Sequence, residues 1–130
     1  MATWNLTTTN QHVFICNGGS CKKEGAEELT QSIRKEITNK GLDQSIHTTR
    51  TLCNGRCEDK CVVITYPEGV WYKGMTSQDA PKFIESIRLG QRLEDKISHT
   101  YNGEGFTPSK GTKLGKMKDE ETVKKVSKIY

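Results

Sequence analysis

Five cysteines are the residues of this 130-residue chain whose type and spacing point to chemistry. They fall in two short segments, FICNGGSCKKEG with Cys16 and Cys21, and TLCNGRCEDKC with Cys53, Cys57 and Cys61. The first segment has the spacing C-x4-C, and the second has C-x3-C twice. Because the residues between Cys21 and Cys53 include no other cysteine, the grouping indicates thiols that act together.

Length and composition predict one small domain with a modest core. Hydrophobic residues make up 32% of the chain, and small domains with so modest a core often need a bound metal to stabilise the fold. The first residues, MATWNLTTTNQH, lack the charged and apolar regions of a signal peptide, and no stretch is apolar enough to span a membrane. We therefore expect a cytoplasmic protein whose cysteines are metal ligands or redox groups rather than disulfides.

The charge distribution argues against a nucleic-acid partner. The formal net charge is +4, and residues 91–130 contribute nine basic and six acidic side chains. Such a mild excess lacks the concentrated basic stripe of nucleic-acid-binding proteins. A solubilising role is expected for the tail lysines, with attraction of an acidic partner as the alternative; they are Lys110, Lys113, Lys116, Lys118, Lys124, Lys125 and Lys128.

Hydrophobic periodicity predicts an α/β fold. HVFIC (12–16) reads as a buried strand, residues 25–41 as an amphipathic helix and SIHTTRT (45–51) as a second strand. VVITY and VWY, joined by PEG, predict a hairpin, and a last helix carries Pro81 in its first turn and ends at Gly90. The order β-α-β-β-β-α predicts a small mixed sheet with helices packed on it, in which the first two strands are parallel.

Three segments follow from this pattern. Residues 1–11 form an N-terminal extension, residues 12–93 form the folded domain, and residues 94–130 form a Lys- and Gly-rich tail that we expect to be flexible. The NGEGF stretch in this tail precedes no helical pattern and follows no convincing strand, so it is not predicted to bind a nucleotide.

The crossover predicts that the cysteine segments meet in space. Parallel strands have their carboxyl ends at the same edge of a sheet, which is where sites lie in α/β folds. The first strand ends at Cys16 and the second ends just before Cys53, so four thiolates can surround one centre. Zinc is one possible centre, although its paired cysteines usually stand closer in sequence. The spacing favours a dinuclear iron–sulfur cluster, and Gly18, Gly19 and Gly55 suit the open loops that it needs.

This arrangement resembles the thioredoxin-like [2Fe-2S] ferredoxins and the related [2Fe-2S] subunit of respiratory NADH dehydrogenase. HVFIC, the cysteine loops and VVITYPEGVWY carry the resemblance, which covers about residues 12–90. It implies a thioredoxin-like fold, a [2Fe-2S] cluster, one-electron transfer between a reductase and an acceptor enzyme, and often a homodimer. Short bacterial proteins of this kind have also been linked to cobalamin biosynthesis.

By position, the resemblance implies Cys16 and Cys21 as the first ligand pair and Cys53 and Cys57 as the second. Better-known members follow the second pair with Gly-Pro, whereas this chain has Lys60 and Cys61. Cys61 is expected to be a small buried thiol at the start of strand VVITY. A second pair made of Cys57 and Cys61 is the alternative, because those two also have the spacing C-x3-C.

Other function classes are less favoured by the residues. A thiol oxidoreductase would need C-x-x-C, which the chain lacks, and no catalytic triad or acid–base pair can be identified, so no enzyme is predicted. His12, His47 and His99 show no ligand pattern. The main alternative is a zinc-binding structural or interaction module that uses the same four cysteines.

Overall fold

The computed structural model describes residues 2–127, and the six predicted elements occur in it in the predicted order, together with two further helices and two further strands. The helices and strands are β1 (Gln11–Cys16), α1 (Gly19–Lys23), α2 (Ala26–Asn39), β2 (Ile46–Thr51), β3 (Val63–Tyr66), β4 (Val70–Tyr72), α3 (Ala80–Arg88), β5 (Ile97–Tyr101), β6 (Phe106–Pro108) and α4 (Glu120–Ser127). Short 3-10 helices lie at Cys57–Asp59, Ser77–Asp79 and Glu94–Lys96.

The strands form one mixed sheet in the order β2-β1-β3-β4-β5-β6. Strands β1 and β2 are parallel and every other neighbouring pair is antiparallel. Helix α2 connects β1 to β2, so the predicted crossover is confirmed. The predicted α/β fold, a small mixed sheet with helices packed on it, is confirmed as well.

The core lies between one face of the sheet and helices α2 and α3. Val13 and Ile15 of β1 are fully buried there. The apolar stripe predicted for α2 is buried at every position, and α3 contributes a second set; the two sets are Ala26, Leu29, Ile33 and Ile37, and Ala80, Phe83 and Ile84. Pro81 lies in the first turn of α3, where its missing N–H breaks no helical hydrogen bond.

The opposite face of the sheet, here called the outer face, is rich in aromatic rings. Side chains alternate along a strand, so His12 and Phe14 point away from α2 and α3. Phe14 contacts Tyr66 with 5.8 Å between ring centroids, and Trp71 contacts Phe106 at 6.1 Å. Tyr66 and Phe106 keep about two fifths of their surface exposed, so the outer face presents apolar area to solvent.

The sheet extends beyond residue 93, where the sequence analysis ended the folded domain. Strand β5 pairs with β4 and also with β6, and Tyr101 packs on the turn between β3 and β4. A Cβ on Gly69 in that turn would lie 2.7 Å from the Cβ of Tyr101. NGEGF is the turn between β5 and β6, where the amide of Asn102 donates to the carbonyl of Gly105. The boundary at 93 is therefore corrected. Strand β5 was missed because ISHTY is too polar to indicate a strand unless its pairing with β4 and β6 is known.

Residues 109–127 continue from β6 through an irregular segment into α4. Lys128, the last of the tail lysines named above, lies outside the described residues. Within residues 2–127, every helix is too short or too polar to cross a membrane.

Candidate metal centre

The two cysteine loops leave the same edge of the sheet. Cys16, the last residue of β1, pairs with Thr51, the last residue of β2. The next residue, Asn17, donates its backbone N–H to the carbonyl of Thr51 at 2.8 Å. Each loop therefore begins beside the other, as the parallel strands predicted.

Four of the five cysteines line one small cavity at this edge. The cavity has a volume of about 10 Å³ and is lined by Cys16, Gly18, Ser20, Cys21, Cys53, Arg56 and Cys57. Cys61 is absent from this lining, and so are all three histidines. The structure thus brings together the four thiols that the resemblance named.

The first loop keeps its thiols inside the protein. Cys16 and Cys21 are each only 3% exposed, Cys16 at the end of β1 and Cys21 within α1. Gly18 lies between them at a place without room for a side chain, because a Cβ there would lie 2.8 Å from the Cα of Cys53. A glycine is therefore needed for the two loops to approach this closely.

The second loop presents its thiols to solvent. Cys53 and Cys57 are exposed, and their sulfur atoms lie 3.7 Å apart. The backbone N–H of Gly55 donates to Sγ of Cys53 at 3.2 Å, and Gly55 has the positive φ of +77° that turns the loop. The cavity therefore has a buried side, formed by the first pair, and an accessible side, formed by the second.

The thiol pKa values differ across the cavity. Burial raises the pKa of Cys16, but backbone hydrogen bonds from Gly18 and Asn54 outweigh it and leave the pKa below its usual value. Burial raises the pKa of Cys21 to about 12. At Cys53 the Gly55 N–H lowers the pKa, yet the neighbouring Cys57 thiol and burial leave it raised overall. Cys16 is thus the thiol whose surroundings best stabilise a thiolate.

Cys61 has a different environment from the other four. It is 1% exposed, and its thiol faces the carbonyl oxygens of Cys21 at 3.4 Å and Glu24 at 3.6 Å. Burial, followed by the charge of Glu24, raises its pKa. The expectation of a small buried thiol is confirmed, although β3 begins two residues later, at Val63.

Arg56 is the cavity residue whose contacts sequence reasoning missed. Its Nε donates to Oδ2 of buried Asp59 at 2.8 Å, and its other nitrogens donate to the carbonyls of Lys113 and Leu114. The sequence shows an Arg and an Asp three residues apart in this loop, a spacing that could have signalled the ion pair. The contacts with residues 113 and 114 carry no sequence signal, because they join distant parts of the chain.

The donor set fits a two-iron cluster. The four cavity thiols form two pairs, and a [2Fe-2S] cluster takes two thiolates on each iron. All five cysteines are free thiols, and Gly18, which has no side chain, lets the two loops approach each other closely.

Comparisons with known proteins agree with this chemistry. No family model matches the chain. It is 46% identical over 107 residues to a putative 2Fe-2S ferredoxin of Priestia megaterium, an alignment that covers 82% of this chain and 84% of that protein. It is 32% identical over 94 residues to a 2Fe-2S ferredoxin of Aquifex aeolicus strain VF5, covering 65% of this chain and 85% of the relative.

The fold is similar to that of a solved protein of the same kind. The structure of a thioredoxin-like [2Fe-2S] ferredoxin from Aquifex aeolicus matches 76% of this chain and 99% of its own, with a TM-score of 0.69 and 27% identity. These proteins carry a [2Fe-2S] cluster and are electron carriers rather than enzymes. On both sequence and fold, the chain belongs to the thioredoxin-like [2Fe-2S] ferredoxins.

Proposed function

We propose that Cys16, Cys21, Cys53 and Cys57 hold the [2Fe-2S] cluster and that the protein carries single electrons between a reductase and an acceptor enzyme. The observation that carries this assignment is the shared cavity, which these four thiols line and Cys61 does not. When bound, the cluster supplies reversible one-electron chemistry at two thiolate-ligated irons.

The chain's own groups prepare the thiolates for this role. Backbone N–H groups of Gly18 and Asn54 stabilise negative charge on Cys16, and that of Gly55 does so on Cys53. Hydrogen bonds to ligand sulfur withdraw electron density and raise the reduction potential. Arg56 adds a positive charge at the cavity wall. These residues therefore favour the reduced, more negative state.

Exposure decides where a partner reaches the site. Cys53 and Cys57 are exposed, whereas Cys16 and Cys21 are buried. Electrons should therefore enter and leave through the second loop. Brief encounters of this kind bury little area and depend on complementary charge, so we expect salt-sensitive association.

Location and assembly complete the proposal. Five reduced thiols and the absence of a nucleic-acid footprint favour a cytosolic carrier that meets proteins, not nucleic acid or membranes.

The outer face supports a homodimer, because Tyr66, Trp71 and Phe106 form an apolar surface that a second copy would cover. Sedimentation should give twice the chain mass, and Phe106→Asp should shift it towards the monomer.

Cofactor analysis and cysteine replacement test the ligand set. Anaerobically purified protein should be red-brown, with two irons and two sulfides per chain. Cys16→Ser, Cys21→Ser and Cys57→Ser should bleach or strongly shift the absorption spectrum, and Cys61→Ser should leave it almost unchanged. Loss of the cluster in Cys61→Ser, together with its full retention in Cys53→Ser, would instead assign the second pair to Cys57 and Cys61.

The same preparation tests the zinc-binding alternative. Colourless protein with stoichiometric zinc, unable to accept a reconstituted cluster, would favour the zinc-binding structural module over the electron carrier.

For the pathway, the resemblance suggests cobalamin biosynthesis. Deleting the gene should then make growth dependent on added cobalamin under conditions that require that cofactor.

A further inference from the structure

A basic segment of the tail lies against the second cysteine loop. We call residues 109–118, with the sequence SKGTKLGKMK, the strap. It starts where β6 ends, and the N–H of Ser109 donates to the carbonyl of Ser98 at 2.7 Å. Lys73, the residue after β4, donates to the hydroxyl of Thr112 at 3.1 Å. The first part of the strap is therefore fixed to the sheet.

Arg56 fixes the next part to the cysteine cavity. Its two terminal nitrogens donate to the carbonyls of Lys113 and Leu114, the latter at 3.2 Å. Its Nε is held at 2.8 Å by Asp59, whose side chain is only 8% exposed. Gly115 completes the contact, because a Cβ there would lie 3.4 Å from a terminal nitrogen of Arg56. One guanidinium thus joins the cavity wall, a buried carboxylate and the strap.

The strap places positive charge beside the accessible thiols. It contains four lysines and no acidic residue. Lys113 lies 3.6 Å from Glu58, while Lys110, Lys116 and Lys118 are exposed and pair with no carboxylate among residues 2–127. Lys118 is four residues beyond Leu114, at most about 14 Å along the chain. The charges therefore lie within reach of a partner at Cys53 and Cys57.

Apolar side chains accompany these lysines. Leu114 is 70% exposed and Met117 is 90% exposed within the strap, and Leu52, next to Cys53, is 83% exposed. Interfaces combine such an apolar centre with charged surroundings, and methionine is enriched in them. A merely solubilising tail would need neither the exposed apolar side chains nor the attachment through Arg56.

We propose that the strap, held by Arg56, is the docking surface for a redox protein whose electron-transfer edge is acidic. This proposal rests on the proposed function, because the partner exchanges one electron at the second cysteine loop. Lysines held at that loop attract the acidic edge and orient it towards the exposed thiols. Steering of this kind raises association rates by roughly 10- to 1000-fold, and it weakens as salt shortens the screening length.

Small charged oxidants test the local field without an identified partner. The reduced holoprotein would be oxidised by hexacyanoferrate(III) and by hexaammineruthenium(III), each of which accepts one electron from the cluster. The ratio of the anion rate to the cation rate, measured at about 10 mM ionic strength, reports the charge beside the cluster. Replacing Lys110, Lys116 and Lys118 with Gln should lower that ratio about tenfold.

A second triple variant controls for net charge. Lys35, Lys82 and Arg92 are exposed on or just beyond α2 and α3, and their replacement by Gln removes the same total charge. The rate ratio should then change less than about twofold. Equal changes in the two triple variants would overturn the proposal, because the strap lysines would then act only through net charge.

The attachment itself is tested by hydrogen exchange. Arg56→Lys keeps the charge but loses the planar group that reaches two carbonyls. Gly115→Ala strains a residue with φ of +75°, and its Cβ would contact Arg56 from the strap side. Each should raise exchange across residues 109–118 about fivefold and lower the rate ratio towards that of the lysine variant. Unchanged exchange in both variants would overturn the role of Arg56.

Failure of the docking proposal can be told from failure of the proposed function. Iron, sulfide and the absorption spectrum are measured before any rate. Protein without a reducible cluster would overturn the electron-carrier function and the docking role that depends on it. An intact, reducible cluster with an unchanged rate ratio in the strap variant would overturn the docking proposal alone.

Discussion

Gly18 touches Cys53 so closely that a Cβ on the glycine would lie 2.8 Å from the Cα of the cysteine. Gly18 has φ of −65°, a value open to any residue, so its absence of a side chain serves the contact and not the backbone. The two cysteine loops, distant in sequence, therefore meet at a residue that cannot be enlarged without moving one of them.

Gly18→Ala should separate the loops. We expect a loss of about 1–3 kcal/mol in the free energy of unfolding, as overpacking typically costs, and fewer irons per chain. Urea unfolding and iron analysis measure the two effects. Gly19→Ala is the matched control, because a Cβ there meets nothing within 4 Å. If the two variants are equally stable and hold equal iron, the close contact has no structural importance.

Cluster removal should loosen both cysteine loops. Exchange should rise chiefly in residues 16–24 and 51–61 of the apo form, because the cluster links the loop after β1 to the loop after β2. Hydrogen exchange followed by mass spectrometry resolves these segments, with β5 as an internal reference. Equal protection of the loops in apo and holo protein would show that the polypeptide alone holds them in place.

Asp59→Ala should destabilise the second loop. The substitution leaves the guanidinium of Arg56 without its 2.8 Å partner in a place where both side chains are largely buried. We expect a loss of about 2 kcal/mol, below the full cost of breaking a buried pair, since Arg56 keeps some exposure. Glu58→Ala is the control, because Glu58 is 69% exposed and should change stability by less than about 0.5 kcal/mol. Similar unfolding midpoints for the two variants would contradict the prediction.

Tyr72 should make stability fall at alkaline pH. Burial raises its pKa to about 12 from an ordinary value of 10.0, so the folded protein holds the phenol proton more tightly than the unfolded chain does. The folded state is at full stability below about pH 10 and loses up to about 2–3 kcal/mol as pH rises to 12. The unfolding temperatures of wild type and Tyr72→Phe should therefore run parallel between pH 7 and pH 10 and diverge between pH 10 and pH 12. Parallel pH profiles would show that the phenol does not titrate on unfolding.

The sequence was sufficient for most of the elements that position the site, although not for the short helix α1 that carries Cys21. The stripe from Ala26 to Ile37 has helical spacing, and Pro81 and Gly90 mark the ends of α3, so local preference and burial agree at these places. The convergence of Cys16 with Cys53 followed from the parallel crossover alone. Local pattern and topology thus predicted that the two cysteine segments would meet, whereas the choice of Cys53 and Cys57 as the second pair came from the resemblance.

Contacts between distant segments could not be predicted in this way. ISHTY contains only two buried residues, so β5 depends on its pairing with β4 and β6 more than on its own composition. Arg56 bonds to backbone carbonyls of residues 113 and 114, groups that every residue carries, so the sequence gives no sign of the choice. Such contacts are decided by the assembled fold.

Neither of the two edge strands of the sheet, β2 and β6, is suited to pairing with a strand from another molecule. Strand β6 has three residues and ends in Pro108, which has no N–H to donate to an added strand. Strand β2 is longer but polar, with the sequence IHTTRT, and its Arg50 is paired with Glu27 of α2. Long, flat, apolar edges are the templates for strand-by-strand polymerisation, and neither edge provides one. The folded protein should therefore stay monodisperse at the millimolar concentrations that spectroscopy of an electron carrier requires.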